Sequence, residues 1–315
     1  MTQGADEQGQ IVEARRAHCR RLALAGSGVW LVWLLFVGAG PVEGLLALSP
    51  LVLHPLVLRL VVFDEVKPHW LFPIVTRTHL VAATLLAASF SFDRGLVAAS
   101  MATPWAVVAG LTALYGLHRI RVEGVRPAWA LSVNSGLVFI AVGGMWTVAS
   151  RYGLRPFSFS DTIVLLTGAH FHYAGFVLPV LAGLVARAHR HWAFDGAAYG
   201  VVLAVPLTAV GITVSPHIEV FSAVLLAACG FVLAAGQIVI ARGARQGVAS
   251  LLFVLSSLSL MLAMTLASIY ATTEFRGAAW PQIPDMARWH GTLNALGTSL
   301  LGVWAWTIEG PKDTP

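Results

Sequence analysis

Apolar runs of about 20 residues recur along this chain from near residue 23 to near residue 307, and they constrain its fold more than any other feature. A run of that length is what one α-helix needs to cross the hydrocarbon core of a bilayer. Almost the whole chain is taken up by these runs, so no room is left for a separate soluble catalytic domain. The expected fold class is all-α: a polytopic integral membrane helical bundle.

Composition supports this prediction and excludes several other classes of protein. The chain is 57% hydrophobic and 11% charged, whereas a soluble domain is about 25% charged. The net charge of +5 does not indicate nucleic-acid binding, because most Lys and Arg lie in short loops or the first segment. The two cysteines, Cys19 and Cys229, indicate neither a disulfide nor a thiolate metal site. The chain is therefore expected to lie in the lipid bilayer.

The hydropathy pattern predicts about ten transmembrane helices in one domain. Their predicted ranges are 23–41, 43–63, 70–90, 95–117, 130–150, 162–187, 197–214, 218–241, 247–270 and 287–307. The single transmembrane helical domain then covers 23–309, between a basic tail at 1–22 and a short tail at 310–315.

Positive charge falls in alternate connections, which predicts how the chain is oriented. The residues concerned are Arg15, Arg16, Arg20, Arg21, Lys67, His118, Arg119, Arg121, Arg126, Arg187, Arg190, Arg242 and Arg245. The positive-inside rule places these connections and both termini in the cytoplasm. Arg151 and Arg155 are the main exceptions. Asp64 and Glu65 stand at a predicted cytoplasmic span end, where a solvated position is expected.

Polar side chains within the predicted spans are candidates for function, because an unpaired one costs a few kcal/mol at mid-membrane. They are His54, His79, Asn134, His170, His172, Tyr173, Gln237, His290 and Asn294. The third span also carries Arg77, which indicates either a functional segment or a re-entrant one.

Helical geometry constrains the histidine pair in the sixth span. Residues two apart differ by about 200° around an α-helix, so His170 and His172 face nearly opposite sides and do not clamp one metal ion together. His172 lies among small residues, which favour either a neighbouring helix or a flat ligand. Pro179 removes a backbone hydrogen bond and is expected to kink the helix, leaving the Gly175 carbonyl free. In the tenth span, His290 and Asn294 are four apart and share a face.

These positions predict a His-rich site in the outer half of the bilayer. The predicted catalytic residues are His170, His172, Tyr173, His290 and Asn294; the predicted metal ligands are His170, His172 and His290; and the predicted substrate-binding residues are His79, Asn134, Glu219 and Glu274. Imidazoles at neutral pH serve both as metal ligands and as proton carriers. The cofactor is left open, with a metal ion or haem as the candidates.

Two resemblances to known families rest on these segments. The stretches HFHYAGF, at 170–176, and HGTLNALG, at 290–297, resemble the signature segments of the YndJ-like family, most strongly over spans six to ten. That resemblance implies a polytopic protein of the bacterial cytoplasmic membrane and marks His170, His172, His290 and Asn294. A shorter resemblance is to the HFHY helix of haem–copper oxidase subunit I, whose two histidines ligate two haems. This chain lacks the HPEVY-type segment and the adjacent His-His pair of that family.

Three classes of function stay open at this point. The first is an intramembrane enzyme, with or without a metal, that acts on a small lipophilic molecule. The second is a YndJ-like transporter with a midplane site, and the third is a structural or partner subunit of a membrane complex. Histidine, asparagine and tyrosine suit proton transfer, which favours the enzyme. The sequence gives no oligomeric state.

Overall fold

A computed structural model describes residues 2–37, 40–61, 69–278 and 280–310, with side chains from residue 9 onward. The described residues form ten helices and no strand. The helices are α1 (Thr2–Val37), α2 (Pro41–Val61), α3 (Leu71–Ser89), α4 (Leu96–Glu123), α5 (Ala128–Tyr152), α6 (Asp161–Ala188), α7 (Trp192–Val214), α8 (Pro216–Arg242), α9 (Gly247–Phe275) and α10 (283–309). The predictions made for Lys67, Asp64 and Glu65 lie outside the described residues.

The predicted all-α membrane bundle is confirmed. In the described part of the chain, α1 to α9 are each long and apolar enough to cross a bilayer. The tenth helix is not among those nine, because His290, Asn294 and several Ser and Thr residues interrupt its apolar run. The span predicted at 70–90, for which a functional or a re-entrant segment had been left open, is the continuous helix α3, Leu71–Ser89. The division into a domain and two tails stays a prediction.

The ten helices differ sharply in how much of their surface other helices cover. Of the most apolar 18-residue window, 83% is buried in α2 but only 17% in α1. The second helix is therefore the centre of the bundle, whereas α1 presents most of its side chains outward. Polar side chains that are buried on α2, such as those of Ser49 and His54, have no lipid or water to face and must bond within the protein.

Glycines allow close approach where the central helices meet. A Cβ on Gly116 of α4 would lie 2.8 Å from the Asn134 carbonyl oxygen of α5. One on Gly136 of α5 would lie 2.6 Å from the Phe176 carbonyl oxygen of α6. Small residues at such crossings are how helices pack tightly in lipid.

The two arginines that depart from the positive-inside pattern are tied to local partners. Arg151 Nη2 donates to the backbone carbonyls of Ser89 at 3.0 Å and Phe92 at 2.5 Å. Arg155 donates two 2.8 Å hydrogen bonds to the Asp161 carboxylate, which raises the pKa of Arg155. Arg94 pairs with the same carboxylate at 2.7 Å. Both arginines therefore join the helix ends at this side of the bundle.

Candidate functional site

An apolar cavity of about 170 Å³ lies where the beginnings of α2, α6 and α10 meet. Its lining residues are Val42, Leu45, Leu166, Ala169, His170, Tyr173, Ala174, Met286, Ala287, His290, Gly291 and Asn294. Four of the five predicted catalytic residues are among them: His170, Tyr173, His290 and Asn294. They are the polar side chains in an otherwise apolar lining, and they come from only two helices.

All three helices that line the cavity depart from regular α-helical winding. Within the described ranges, π-helical turns occur at Ser49–Leu53 in α2, at Phe171–Val177 in α6, and at Met286–His290 and Leu293–Leu301 in α10. The other seven helices have none there. Widened turns of this kind are uncommon and are frequent at functional sites.

The prolines of α2 explain its local winding and two of its side-chain contacts. In the π-helical turn an N–H bonds five residues back, as that of His54 does to the Ser49 carbonyl. Pro50 and Pro55 have no N–H, so in this register the Leu45 and Pro50 carbonyls have no backbone donor. The Leu45 carbonyl accepts a hydrogen bond from the Tyr173 hydroxyl instead. The Pro50 carbonyl accepts one from His79 Nε2 at 2.6 Å. Side chains of α6 and α3 thus complete the backbone of α2.

Pro179 has a similar effect on α6. The helix winds as a π-helix over Phe171–Val177, and the Leu178 N–H reaches back five residues to the Tyr173 carbonyl. The Ser49 hydroxyl donates to the His172 carbonyl at 3.3 Å. The widened turn accommodates the proline that the sequence predicted would kink the helix.

His290 is held in one orientation and one protonation state. A carbonyl oxygen only accepts, so Nδ1, at 2.9 Å from the Ala263 carbonyl, carries the proton and donates it. Nε2 then bears a lone pair, which accepts from Asn294 Nδ2 at 2.9 Å. The same amide nitrogen lies 3.1 Å from the His290 carbonyl. Asn294 therefore orients a neutral imidazole at the cavity wall.

His170 is the second imidazole of the cavity. Its Nε2 is buried and has no hydrogen-bond partner among the described residues. The ring lies close enough to His290 for the two to interact electrostatically. The cavity thus combines one imidazole with fixed partners and one with an unused nitrogen.

His172 faces away from the cavity, as the two-residue spacing predicted. Its Nε2 accepts a 2.9 Å hydrogen bond from the Trp105 indole, and its Nδ1 donates to the Gly168 carbonyl at 2.7 Å. Gly143 of α5 leaves room for the ring, since a Cβ there would lie 2.7 Å from Nδ1. The small-residue groove around His172 is therefore filled by neighbouring helices, and both ring nitrogens are used.

Comparison with known proteins assigns the chain to a family. A family model described as "YndJ-like protein" matches residues 44–298. The chain belongs to the YndJ-like family. It is also 30% identical over 210 residues to "Uncharacterized membrane protein YndJ" of Bacillus subtilis (strain 168). No solved structure matches.

The match to the Bacillus protein is partial on both sides. It covers 66% of the YndJ-like chain described here and 38% of the Bacillus protein. The chain therefore spans well under half the length of that relative. The family-matched range includes His170, His172, Tyr173, His290 and Asn294.

None of the four predicted substrate-binding residues of this YndJ-like protein lines the cavity. His79 is buried against Pro50 and stacks on His54, with ring centroids 5.1 Å apart. Asn134 accepts from Arg119 Nε at 2.7 Å and donates to Glu123 at 2.9 Å.

Glu219 and Glu274 also lie apart from the cavity. They occupy neighbouring ends of α8 and α9 and interact electrostatically with each other. The structure does not bring these two carboxylates, His79 or Asn134 together with His170 and His290.

The residues at the cavity do not form the donor set of a metal site. In the part of the YndJ-like chain that the structure describes, no three His, Cys, Asp or Glu side chains are grouped so that they could hold a metal ion. A protein-bound zinc ion usually has three or four such ligands. Here only two imidazoles face the cavity, and Asn294 already occupies the lone pair of one. Haem ligation by His172 is no better supported, because both its nitrogens are bonded.

Sequence reasoning missed the contribution of α2 to the site. Val42 and Leu45 carry no polar group that would mark them. Trp105, the partner of His172, was one of 11 tryptophans and gave no local signal. The Pro50 and Pro55 pair inside an apolar span was the one available indication that α2 winds unusually.

Proposed function

We propose that this protein is an intramembrane enzyme that acts on a small lipophilic molecule in the outer half of the bilayer. The observation that carries the proposal is that His170, whose Nε2 has no hydrogen-bond partner among the described residues, lines one apolar cavity together with the oriented, neutral ring of His290. A buried polar group without a partner costs stability, so the unpaired nitrogen of His170 marks a candidate functional residue. The nearness of the two imidazoles to each other and to Asn294 suits proton transfer.

The cavity fits a particular class of substrate. An apolar cavity of about 150 Å³ is large enough to hold benzene, so the 170 Å³ here accommodates a molecule or a molecular end of that size. The walls contributed by Leu45, Leu166 and Met286 favour an apolar body. The unused nitrogen of His170 favours a substrate that presents an O–H or N–H group.

The proposed roles follow from the hydrogen bonds. His170 Nε2 accepts the substrate proton, His290 supplies the second imidazole, and Asn294 keeps the His290 ring in place. Tyr173 shapes the cavity floor through its bond to Leu45 rather than meeting the substrate with a free hydroxyl. A general base of this kind contributes about 10²- to 10⁴-fold in rate. No step requires a metal ion.

The proposed location follows from the charge pattern. Basic residues in alternate connections favour both ends of this chain in the cytoplasm of a bacterial cell, with the beginnings of α2, α6 and α10 near the outer leaflet. A lipophilic substrate would then reach His170 from the outer half of the bilayer. The small lipophilic molecule and the bilayer are the proposed partners.

A transporter is the second candidate, and the π-helical turns favour it. Transporters often build a midplane site from interrupted helices whose free backbone groups meet the substrate. Three helices with irregular turns surround this cavity. One observation counts against a transporter: the Leu45 and Pro50 carbonyls already accept hydrogen bonds from side chains and are not left to meet a substrate.

The experiment compares bacteria that lack the native gene and carry either the wild type or a variant. The variants are His170→Gln and His290→Gln, with His217→Gln as the matched control, because His217 is exposed at the start of α8. Small lipophilic molecules are extracted from membranes and medium and identified by mass spectrometry. The enzyme proposal predicts a product whose mass differs from that of its precursor, present with wild type and His217→Gln and absent with the other two.

Other results would overturn the enzyme proposal in distinguishable ways. An unchanged molecule that moves between cells and medium in a His170-dependent manner indicates transport. If all proteins are folded and the extracted molecules are the same for wild type and the two cavity variants, both the enzyme and the transporter are excluded. The role of a partner subunit is then the one left.

A further inference from the structure

A second cavity, of about 510 Å³, lies between the first part of α1 and the first part of α3. It is lined by Ile11, Ala14, Arg15, His18, Phe72, Pro73, Thr76 and Arg77. We call it the basic groove. None of these eight lining residues is acidic, and the proposed function does not use any of them.

Arg77 is the residue in the groove that most requires a partner. It lies six residues after Leu71, or about 9 Å along α3 from the helix start, in a helix long and apolar enough to span a bilayer. Its side chain is exposed. A guanidinium at that depth is costly unless it reaches the interface or meets an anion. The groove is where that anion would sit.

The part of α1 that lines the groove carries further positive charge. Arg16 and Arg20 each interact electrostatically with Arg59 of α2. Glu13, on the same part of α1, lies 3.6 Å from Arg16. Between residues 9 and 21 of α1, arginines therefore outnumber acidic residues.

The floor of the groove is apolar. Ile11, Ala14, Phe72 and Pro73 supply the apolar part of its lining. A ligand complementary to both parts has an anionic head and an apolar body. Basic pockets between membrane helices on the cytoplasmic side are suited to phosphate headgroups of lipids.

We infer that the basic groove binds the headgroup of an anionic phospholipid. Arg15 and Arg77 contact the phosphate from two helices, and the acyl chain follows the exposed side chain of Ile11. The bound lipid would join α1, the most exposed of the nine apolar helices, to the rest of the bundle. The charge pattern places the beginnings of α1 and α3, which line the groove, on the side of the membrane opposite the beginnings of α2, α6 and α10.

Native mass spectrometry of the purified full chain tests this inference. Dioleoyl-phosphatidylglycerol is titrated onto the delipidated protein in detergent, and dioleoyl-phosphatidylcholine serves as the zwitterionic comparison. We expect one phosphatidylglycerol to bind more tightly than phosphatidylcholine. Its affinity falls about fivefold in Arg77→Gln and about 25-fold in Arg15→Gln/Arg77→Gln, since each arginine near a membrane surface contributes about a factor of five.

Three controls make the result specific. Arg121→Gln removes an exposed arginine at the end of α4, away from the groove, and keeps wild-type affinity. Arg77→Lys retains most of the binding, because a lysine still supplies a point charge for phosphate. If Arg77→Gln does not elute as a folded protein on gel filtration, Arg15→Gln alone replaces it as the test variant, with the same expected fivefold loss of affinity.

Several outcomes would overturn the inference. Equal binding of the two lipids by the wild type shows that no anionic site exists. An Arg121→Gln loss as large as that of Arg77→Gln shows only a general charge effect. Displacement of phosphatidylglycerol by excess inorganic phosphate assigns the groove to a free anion rather than to a lipid.

Discussion

The two histidines of the HFHY segment have different roles because their ring nitrogens have different partners. His172 has both nitrogens bonded to protein groups, whereas His170, which lines the cavity, has a buried Nε2 without a partner among the described residues. A hydrogen-bond inventory of this kind separates a helix-packing histidine from a candidate catalytic one. Residue type and position along the span do not.

The bond from Trp105 to His172 gives a direct stability prediction. Trp105→Phe removes the indole donor and leaves the His172 Nε2 lone pair buried without a partner. We expect a loss of about 1 kcal/mol of unfolding free energy, measured by denaturation with sodium dodecyl sulfate in mixed micelles. The control, Trp304→Phe, changes a half-exposed tryptophan and stays near wild type; an equal loss there would contradict the role given to His172.

Gly143 is the second position where the His172 environment can be tested. Gly143→Ala places a methyl group 2.7 Å from His172 Nδ1, and we expect a loss of about 1 to 3 kcal/mol from overpacking. Gly110→Ala is the matched control, since a Cβ there meets nothing within 4 Å. At Gly110 alanine adds helix propensity and is expected to stabilise by up to about 1 kcal/mol. The same denaturation assay measures both, and equal effects would contradict this packing argument.

At the scale of the helix, the prolines of α2 and α6 create carbonyls that other helices satisfy. His79 and Tyr173 each donate to such a carbonyl of α2, and Ser49 of α2 donates to the His172 carbonyl within the π-helical turn of α6. The irregular turns are therefore stabilised by tertiary contacts, which makes them a fixed part of the bundle.

Tyr173→Phe tests this dependence between helices. Without the hydroxyl, the Leu45 carbonyl loses its donor while the ring still fills its place. We expect about 1 kcal/mol lower stability, together with a shifted α2 that lowers activity only modestly. Tyr152→Phe, at a half-exposed tyrosine, is the control in the same unfolding measurement. An unchanged stability for Tyr173→Phe would show that the Leu45 carbonyl needs no donor.

At the scale of the whole molecule, the orientation in the membrane is the property to test. Ser158 lies in the connection before α6, which the charge pattern places outside, and Gln246 lies in the connection before α9, which it places inside. In a background with Cys19→Ala and Cys229→Ala, a membrane-impermeant maleimide should label Ser158→Cys in intact cells. Gln246→Cys should be labelled only after permeabilisation. The opposite labelling pattern would show that the bundle has the inverse orientation, with the His170 cavity on the cytoplasmic side.

Much of the fold could be predicted from the chain alone. Apolar length predicts a membrane helix because the bilayer sets how many residues are needed, and all ten predicted spans correspond to described helices. The opposite directions of His170 and His172 were predictable because helix geometry is local. The contact between His290 and Asn294 was predictable because residues four apart share one face of a helix.

What the sequence by itself determined was the class of fold, the number of helices and which polar groups each helix carries, since these depend on local periodicity and length. Only the tertiary structure decided which of these groups meet. It brought His170 and His290 to one cavity, gave His172 and Asn134 to neighbouring helices, and added Leu45 from α2. The reason is physical: each helix satisfies most of its own backbone locally, whereas the partners of its side chains and of the carbonyls left at its irregular turns depend on how helices rotate and pack against one another.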